Sequence, residues 1–326
     1  MKAENCKIGI VGLGPVGMIL AVHLKNAGCE VAVCDMDKRK VNLIRNDGIS
    51  LVGKINETVF LKHVFSSVSE LMESKLDVLI SSVKAYHVDS VLDQIDAEEH
   101  QGLNLICAQN GIDIRMKYQS HFLDSNVFRM IINYAGNLNA PNVVNVTFFN
   151  PPNYIGSIDD SNEELPNFIA GLLTKQNLKT ISVNSFKVAE QAWIKTILNA
   201  ALSPLCAISG HTMKEAMSNR DTLEIVEQII VEAMEVAKAE DVVFEQNFVK
   251  LCIRYLKKAG NHFPSLAVDV INKRETEIDY MNGKFVYYGR KHYIKTPINL
   301  VFTNLIKAIT QKNLIGSHSK NVYLEK

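Results

Sequence analysis

The stretch Lys7-Ile-Gly-Ile-Val-Gly-Leu-Gly-Pro-Val-Gly17 constrains this chain more than any other. Ile8, Ile10 and Val11 form a short apolar run that reads as a buried first strand. Gly12, Gly14 and Gly17 follow at GxGxxG spacing, the pattern of a dinucleotide-binding turn between a strand and a helix. Each glycine has a separate task. Gly12 permits the tight turn, Gly14 lets the backbone approach a pyrophosphate with no Cβ in the way, and Gly17 lets the helix lie close on its strand. Pro15 suits the helix opening, where its missing N–H would be unpaired anyway. The free N–H groups and positive dipole end at that opening favour phosphate, so Gly12, Leu13, Gly14, Pro15, Val16 and Gly17 are all candidate cofactor contacts.

Glycine-rich turns occur in many loops, and a βα unit that binds nothing has the same spacing, so the context matters. A helix expected from about Val16 to Asn26 ends at Gly28, and a second apolar strand, Val31 to Cys34, stops at Asp35, 18 residues beyond Gly17. A carboxylate there can accept both hydroxyls of an adenosine ribose and would repel a 2′-phosphate, which favours NAD(H). Lys38 and Arg39 follow closely. They read either as solvated charges on the next helix or, with Asp35 turned aside, as partners of a phosphate, which keeps NADP(H) as the alternative.

A chain of 326 residues and 36.4 kDa fits two domains. Formal net charge is zero, so no nucleic-acid partner is expected. The first residues lead straight into the first strand without room for a signal peptide. No stretch reads as a membrane span, and a cytoplasmic location is expected. Cys6, Cys29, Cys34, Cys107, Cys206 and Cys252 are scattered without CxxC spacing, as buried apolar residues of a reducing compartment would be. The nine histidines show no HxH or HExxH spacing, and no metal site is expected.

Beyond Asp35, strands and helices alternate, the pattern of a parallel sheet covered on both faces. Leu76 to Val83 and Leu103 to Ala108 are the next clear strands. Lys84 follows the first and Gln109-Asn110-Gly111 the second, beyond the carboxyl ends of strands where ligands of such sheets bind. Asn110-Gly111 reads equally as a plain turn. Met130 to Tyr134 and Val143 to Phe149, joined through Gly136 and Pro141, read as an antiparallel extension of the sheet. A helix over 162–175 and a strand over 179–183 would close a first domain of residues 1–186, leaving an all-helical second domain of residues 187–326. Helices are expected there over 188–203, 220–240, 248–258, 276–288 and 297–309.

The helix from Val188 to Ser203 is the most informative. Between Glu190 and Lys214 the only formally charged side chain is Lys195, set among Trp193, Ile194, Ile197, Leu198, Ala201, Leu202, Leu205 and Ile208. Gln191, Lys195, Asn199 and Ser203 recur every four residues and so share one face. An ammonium in apolar surroundings is costly unless paired, so this face is expected to line a cleft and meet an anion rather than bulk water. Hydride transfer to a carbonyl creates such an anion, a developing alkoxide that needs a proton donor. Desolvation would drive the ammonium towards losing its proton, so a neighbouring carboxylate is expected. Glu277 is one candidate, although Thr276-Glu-Ile-Asp279 also fits a capping box that would place Glu277 as a dipole-satisfying residue in a first helical turn. Ser265, after Pro264, would by itself be another helix cap.

In these residues the chain resembles the ketopantoate reductases over nearly its whole length. The matching elements, in order, are Gly12-Leu-Gly-Pro-Val-Gly17, Lys84, Gln109-Asn110-Gly111, Lys195 with Asn199, and Pro264-Ser265 through Asp269 to Thr276-Glu277-Ile-Asp279-Tyr-Met-Asn282-Gly283. The last is the most specific. The resemblance implies an α/β chain with an N-terminal Rossmann domain, an all-helical C-terminal domain and an active site in the cleft between them. It implies Lys195 as general acid, Glu277 positioning Lys195 and the cofactor, and Asn110 between nicotinamide and substrate. Asn199 and Ser265 would bind the hydroxyl and carboxylate of a small 2-oxo acid, and Lys84 would lie by the cofactor. A homodimer is expected by family analogy. Two departures bear on the substrate pocket. Ser203 stands where pantoate-making members carry a second asparagine, and the Ser209-Gly-His-Thr-Met213 loop lacks an asparagine they use on substrate. With Asp35, the pattern is also similar to the NAD-dependent D-2-hydroxyacid (mandelate-type) dehydrogenases of the same superfamily. A dinucleotide sensor without turnover is the reading from another class.

Overall fold

The computed structural model describes residues 2–122 and 126–322, which fall into two compact units. One holds the residues up to 109 and those from 113 to 191. The other holds 110–112 and the residues from 192 onward.

The first unit is α/β. Its elements begin β1 (Lys7–Val11), α1 (Pro15–Asn26), β2 (Glu30–Cys34), α2 (Lys38–Asp47), β3 (Ile49–Gly53), β4 (Glu57–Val59) and β5 (His63–Phe65). There follow α3 (Val68–Met72), β6 (Val78–Ser81), α4 (Val88–Leu92), β7 (Asn104–Cys107), α5 (Ile114–His121), β8 (Val127–Ile131), β9 (Tyr134–Ala140) and β10 (Val143–Phe149). The last are β11 (Asn153–Ser157), α6 (Glu164–Lys175) and β12 (Thr180–Ser182). The main sheet has the order β12-β11-β8-β7-β6-β1-β2-β5. From β8 to β5 every pairing is parallel, and β11 runs antiparallel to β8. The strands β6 and β8 are buried along their full length, as covering on both faces requires.

The expected antiparallel extension is not what forms. Val143 to Phe149 is β10, but it joins β9, β3 and β4 in a separate sheet of order β4-β3-β10-β9, and the segment through Gly136 that was expected to connect strands is itself β9. The burial pattern explains the difference. Along β10 only Val144 and Val146 are buried, alternating with half-exposed residues, which suits a sheet covered on one face. The helix α1 packs against both sheets, and every residue from Gly17 to Leu24 is buried. The strands β3, β4, β5 and β11 escaped the sequence because three to five residues carry too little alternation to read.

The second unit contains no strand among its described residues. Most of α7 (Ser185–Ser209) belongs to it, with α8 (Met213–Ser218), α9 (Arg220–Ala239), α10 (Phe248–Leu256), α11 (Ser265–Ile271), α12 (Asn282–Lys291) and α13 (Pro297–Val322). Trp193 of α7 packs against Phe285 and Tyr288 of α12, with ring centroids 5.9 and 5.4 Å apart. By length and composition α7 does reach what a membrane crossing needs, contrary to expectation, and 56% of that stretch is buried inside the protein. A helix apolar on most of its circumference is what a core position asks for.

The helix expected over 276–288 is also corrected. Ile278–Tyr280 is a single 3-10 turn with Glu277 at its N-cap and no side-chain cap, and the α-helix starts only at Asn282. The capping box at Thr276 is therefore absent. The expected burial of the cysteines holds: all six are free and buried.

Candidate functional site

In the first unit the candidate residues follow the carboxyl ends of three neighbouring parallel strands: the glycine turn after β1, Asp35 after β2 and Lys84 after β6. Gly12 has φ +90°, and a Cβ there would lie 2.7 Å from the Val83 amide nitrogen. At Gly17 a Cβ would overlap the Gly12 carbonyl and come within 2.5 Å of Ser82 Oγ, which itself donates to that carbonyl at 2.7 Å. Both glycines are thus fixed by the protein's own packing. Gly14 is different, because a Cβ there would meet nothing within 4 Å. Its missing side chain leaves space rather than relieving a clash, beside the opening of a twelve-residue helix whose N-cap has no side-chain hydrogen bond. Such a concavity fits a pyrophosphate. Ser82 was not singled out from the sequence, and only its place after a strand end could have marked it.

Asp35 is tied to the same turn. Its Oδ2 accepts from the Leu13 N–H at 2.8 Å and meets Lys40 Nζ at 2.8 Å, while Oδ1 accepts from the Asp37 N–H at 2.9 Å. Lys38 and Arg39 are exposed, so the basic partner at this position is Lys40, which the sequence reasoning passed over. Lys84 is half-buried and precedes the 3-10 turn Ala85–His87.

At the end of β7 a buried clamp holds the chain that leads into Asn110. Arg129 donates to the carbonyls of Cys107 at 3.1 Å and Gln109 at 2.5 Å, and Gln109 Nε2 donates to Ser81 Oγ and Tyr118 Oη, each at 2.8 Å. Burial pushes the Tyr118 phenol up, so it stays protonated. Gly111 has φ +106°, and a Cβ there would lie 2.7 Å from the Tyr280 carbonyl.

The second unit gathers the remaining candidates. Lys195, Asn199 and Ser203 lie on the continuous helix α7; Lys195 and Asn199 are half-buried and Ser203 is buried. Lys195 is thus neither fully enclosed nor fully open to solvent. Glu277 is only 4% exposed, too enclosed for the surface role that a first helical turn would have given it. The Ile112 N–H donates to the Tyr280 carbonyl at 3.1 Å, which brings the half-buried Asn110 segment onto the turn that begins at Glu277. At the other end of that turn Asn282 donates to the Ala200 carbonyl of α7 at 3.1 Å. Ser265 is exposed at the first residue of α11, and these bonds do not tie it to the others.

Comparison with known proteins agrees in both units. Residues 8–160 match the family model "Ketopantoate reductase PanE/ApbA", and residues 187–310 match "Ketopantoate reductase PanE/ApbA C terminal". A 2-dehydropantoate 2-reductase of Streptococcus pyogenes is 26% identical over 301 residues, 92% of this chain and 96% of that protein. Among solved structures, a PanE/ApbA family ketopantoate reductase from Ralstonia eutropha superposes with a TM-score of 0.84 at 22% identity, covering 94% of this chain and 99% of that one. D-mandelate dehydrogenase in a ternary structure with NADH and anilino(oxo)acetate gives a TM-score of 0.82 at 23% identity, with 94% and 99% covered.

Proposed function

This chain belongs to the ketopantoate reductase family, and on that premise we propose that it reduces 2-dehydropantoate (ketopantoate) to (R)-pantoate with NAD(P)H, Lys195 being the general acid. The observation that carries the reading is the face of α7, where one ammonium stands in line with Asn199 and Ser203 inside an otherwise apolar stretch. A bound reduced nicotinamide would supply hydride to the 2-oxo carbon. As charge grows on the substrate oxygen, the Lys195 ammonium stabilises it and transfers a proton to it. Glu277, enclosed in the same unit, keeps Lys195 charged and oriented. Asn199, Ser203 and Ser265 donate hydrogen bonds to the substrate's hydroxyl and carboxylate, and Asn110 fixes the face it presents.

On the cofactor side the turn from Gly12 to Gly17 would hold the pyrophosphate, and Lys84 would lie by the cofactor. Asp35 favours NAD(H). Its carboxylate already accepts two backbone N–H groups and Lys40, so a ribose must share it with that lysine.

Ser203 favours a second reading. Its side chain is shorter than the asparagine of pantoate-making members and leaves more room, which suits an NAD-dependent D-2-hydroxyacid dehydrogenase for other branched or aromatic 2-oxo acids. The test is a side-by-side assay of ketopantoate, 2-oxoisovalerate and benzoylformate with NADH and NADPH in turn. Ketopantoate is expected to give the highest kcat/KM. A preference for benzoylformate selects the second reading, and cofactor binding without oxidation by any 2-oxo acid leaves a sensor.

A further inference from the structure

The helix α7 contains Pro204 in its interior. In an α-helix the carbonyl of residue 200 accepts from the N–H of residue 204, and proline has none; its ring also pushes that carbonyl aside. Ala200 is fully buried, so the orphaned carbonyl has no water to turn to, and a buried acceptor without a partner is destabilising. Asn282, itself 0% exposed, supplies the partner: its Nδ2 donates to the Ala200 carbonyl at 3.1 Å and to Asn299 Oδ1 at 3.0 Å.

The polarity of this relay follows from its far end. Glu232 on α9 accepts the backbone N–H groups of Ile298 and Asn299 at the start of α13, at 2.9 and 3.0 Å, and Asn299 Nδ2 at 2.8 Å. A carboxylate only accepts, so Asn299 must turn its amide nitrogen to Glu232 and its oxygen to Asn282. Asn282 then faces two acceptors and must present its NH2 to both.

The position of the break gives the relay a role. Asn199 directly precedes Ala200 and Ser203 directly precedes Pro204, so the intrahelical hydrogen bond that proline removes lies beside the two side chains assigned to substrate, one turn beyond Lys195. We propose that Asn282 is a positioning residue for the substrate-binding face of α7, replacing at the Ala200 carbonyl the hydrogen bond that Pro204 cannot make and so holding the helix where Asn199 and Ser203 stand. The inference rests on the reduction reading above. It gives Asn282, which closes the turn opened by Glu277, a task that is neither proton transfer nor cofactor binding.

The test is a double-mutant cycle of Asn282→Leu, which keeps the branched outline and removes the donor, with Pro204→Ala, which restores the helix's own N–H. Asn282→Leu is expected to raise KM for the 2-oxo acid about tenfold, with a smaller change in kcat and unchanged NAD(P)H affinity, and to lower the melting temperature. In the Pro204→Ala background the same substitution is expected to change KM by less than about threefold and to cost less in melting temperature. Should Asn282→Leu not fold, Asn282→Ser retains a donor of shorter reach and is expected to show an intermediate KM. Equal effects in both backgrounds, or a folded Asn282→Leu or Asn282→Ser protein with wild-type KM, overturn the proposal. A wild-type protein that turns over no 2-oxo acid overturns the functional reading and the positioning role together. The melting cycle distinguishes that failure from absence of the bond.

Discussion

The first unit presents its candidate site mainly as backbone, whereas the second presents side chains. At the glycine turn the surface is backbone left open by missing side chains, and the glycines are constrained by the Gly12 carbonyl and by Ser82 and Val83 after β6. On α7 the surface is an ammonium, an amide and a hydroxyl, and the helix carrying them is held by Asn282, 82 residues from Ala200. A backbone site tolerates no added atoms, and a side-chain site tolerates no lost ones. The two should therefore fail differently when mutated.

Removing the ammonium breaks that symmetry most severely. Lys195→Ala is expected to lower kcat by about a thousandfold, the scale of a general acid, while cofactor affinity measured by fluorescence titration stays within about twofold. Within the turn itself, Gly17→Ala and Gly14→Ala should separate. The first forces a methyl into the Gly12 carbonyl and is expected to cost about 2 kcal/mol or more in chemical denaturation. The second meets no protein atom, so stability should hold while NAD(P)H binding weakens about tenfold. A smaller effect is expected at Asp35. Asp35→Asn removes the charge and one of the two acceptor oxygens, leaving either the Leu13 or the Asp37 N–H without its partner, and the NADH to NADPH ratio of kcat/KM should fall about fivefold.

The smallest prediction concerns acid. Burial lowers His23 from its ordinary value of 6.5, against a bond from its ring to the Ile19 carbonyl at 2.7 Å. The unfolded chain takes up that proton more readily than the folded one, so the stabilisation is present above pH 6.5 and is lost as pH falls from there through the folded value. His23→Leu should flatten the acid limb of the melting-temperature profile of the first unit and leave the neutral region nearly unchanged.

The same contrast explains what the sequence made legible. The glycine spacing, the strand preceding it and Asp35 lie close together in the chain, and the periodicities that mark them are local. The four-residue repeat on α7 was equally visible, because a helix turns its own sequence into a face. What escaped depends on partners far apart: the second sheet pairs β3 with β10 across some ninety residues, and the turn at Glu277 is shaped by contacts to Asn110–Ile112 and Ala200. A capping-box pattern at Thr276 misled for the same reason, since nothing within four residues reveals that tertiary bonds hold the chain in a 3-10 turn there. Lys40 was passed over because Lys38 and Arg39 stood nearer to Asp35 in sequence, while the first turn of α2 brings Lys40 to the carboxylate.

The most direct measurement is a single turnover of excess protein with ketopantoate and NADH or NADPH deuterated at the transferring position of C4, followed by mass spectrometry of the product. The expected result is one deuterium at C2 of (R)-pantoate with the wild-type protein and none over the same interval with Lys195→Ala. Retention of the label on the cofactor by wild type, or equal labelling by the Lys195→Ala protein, would contradict the assignment.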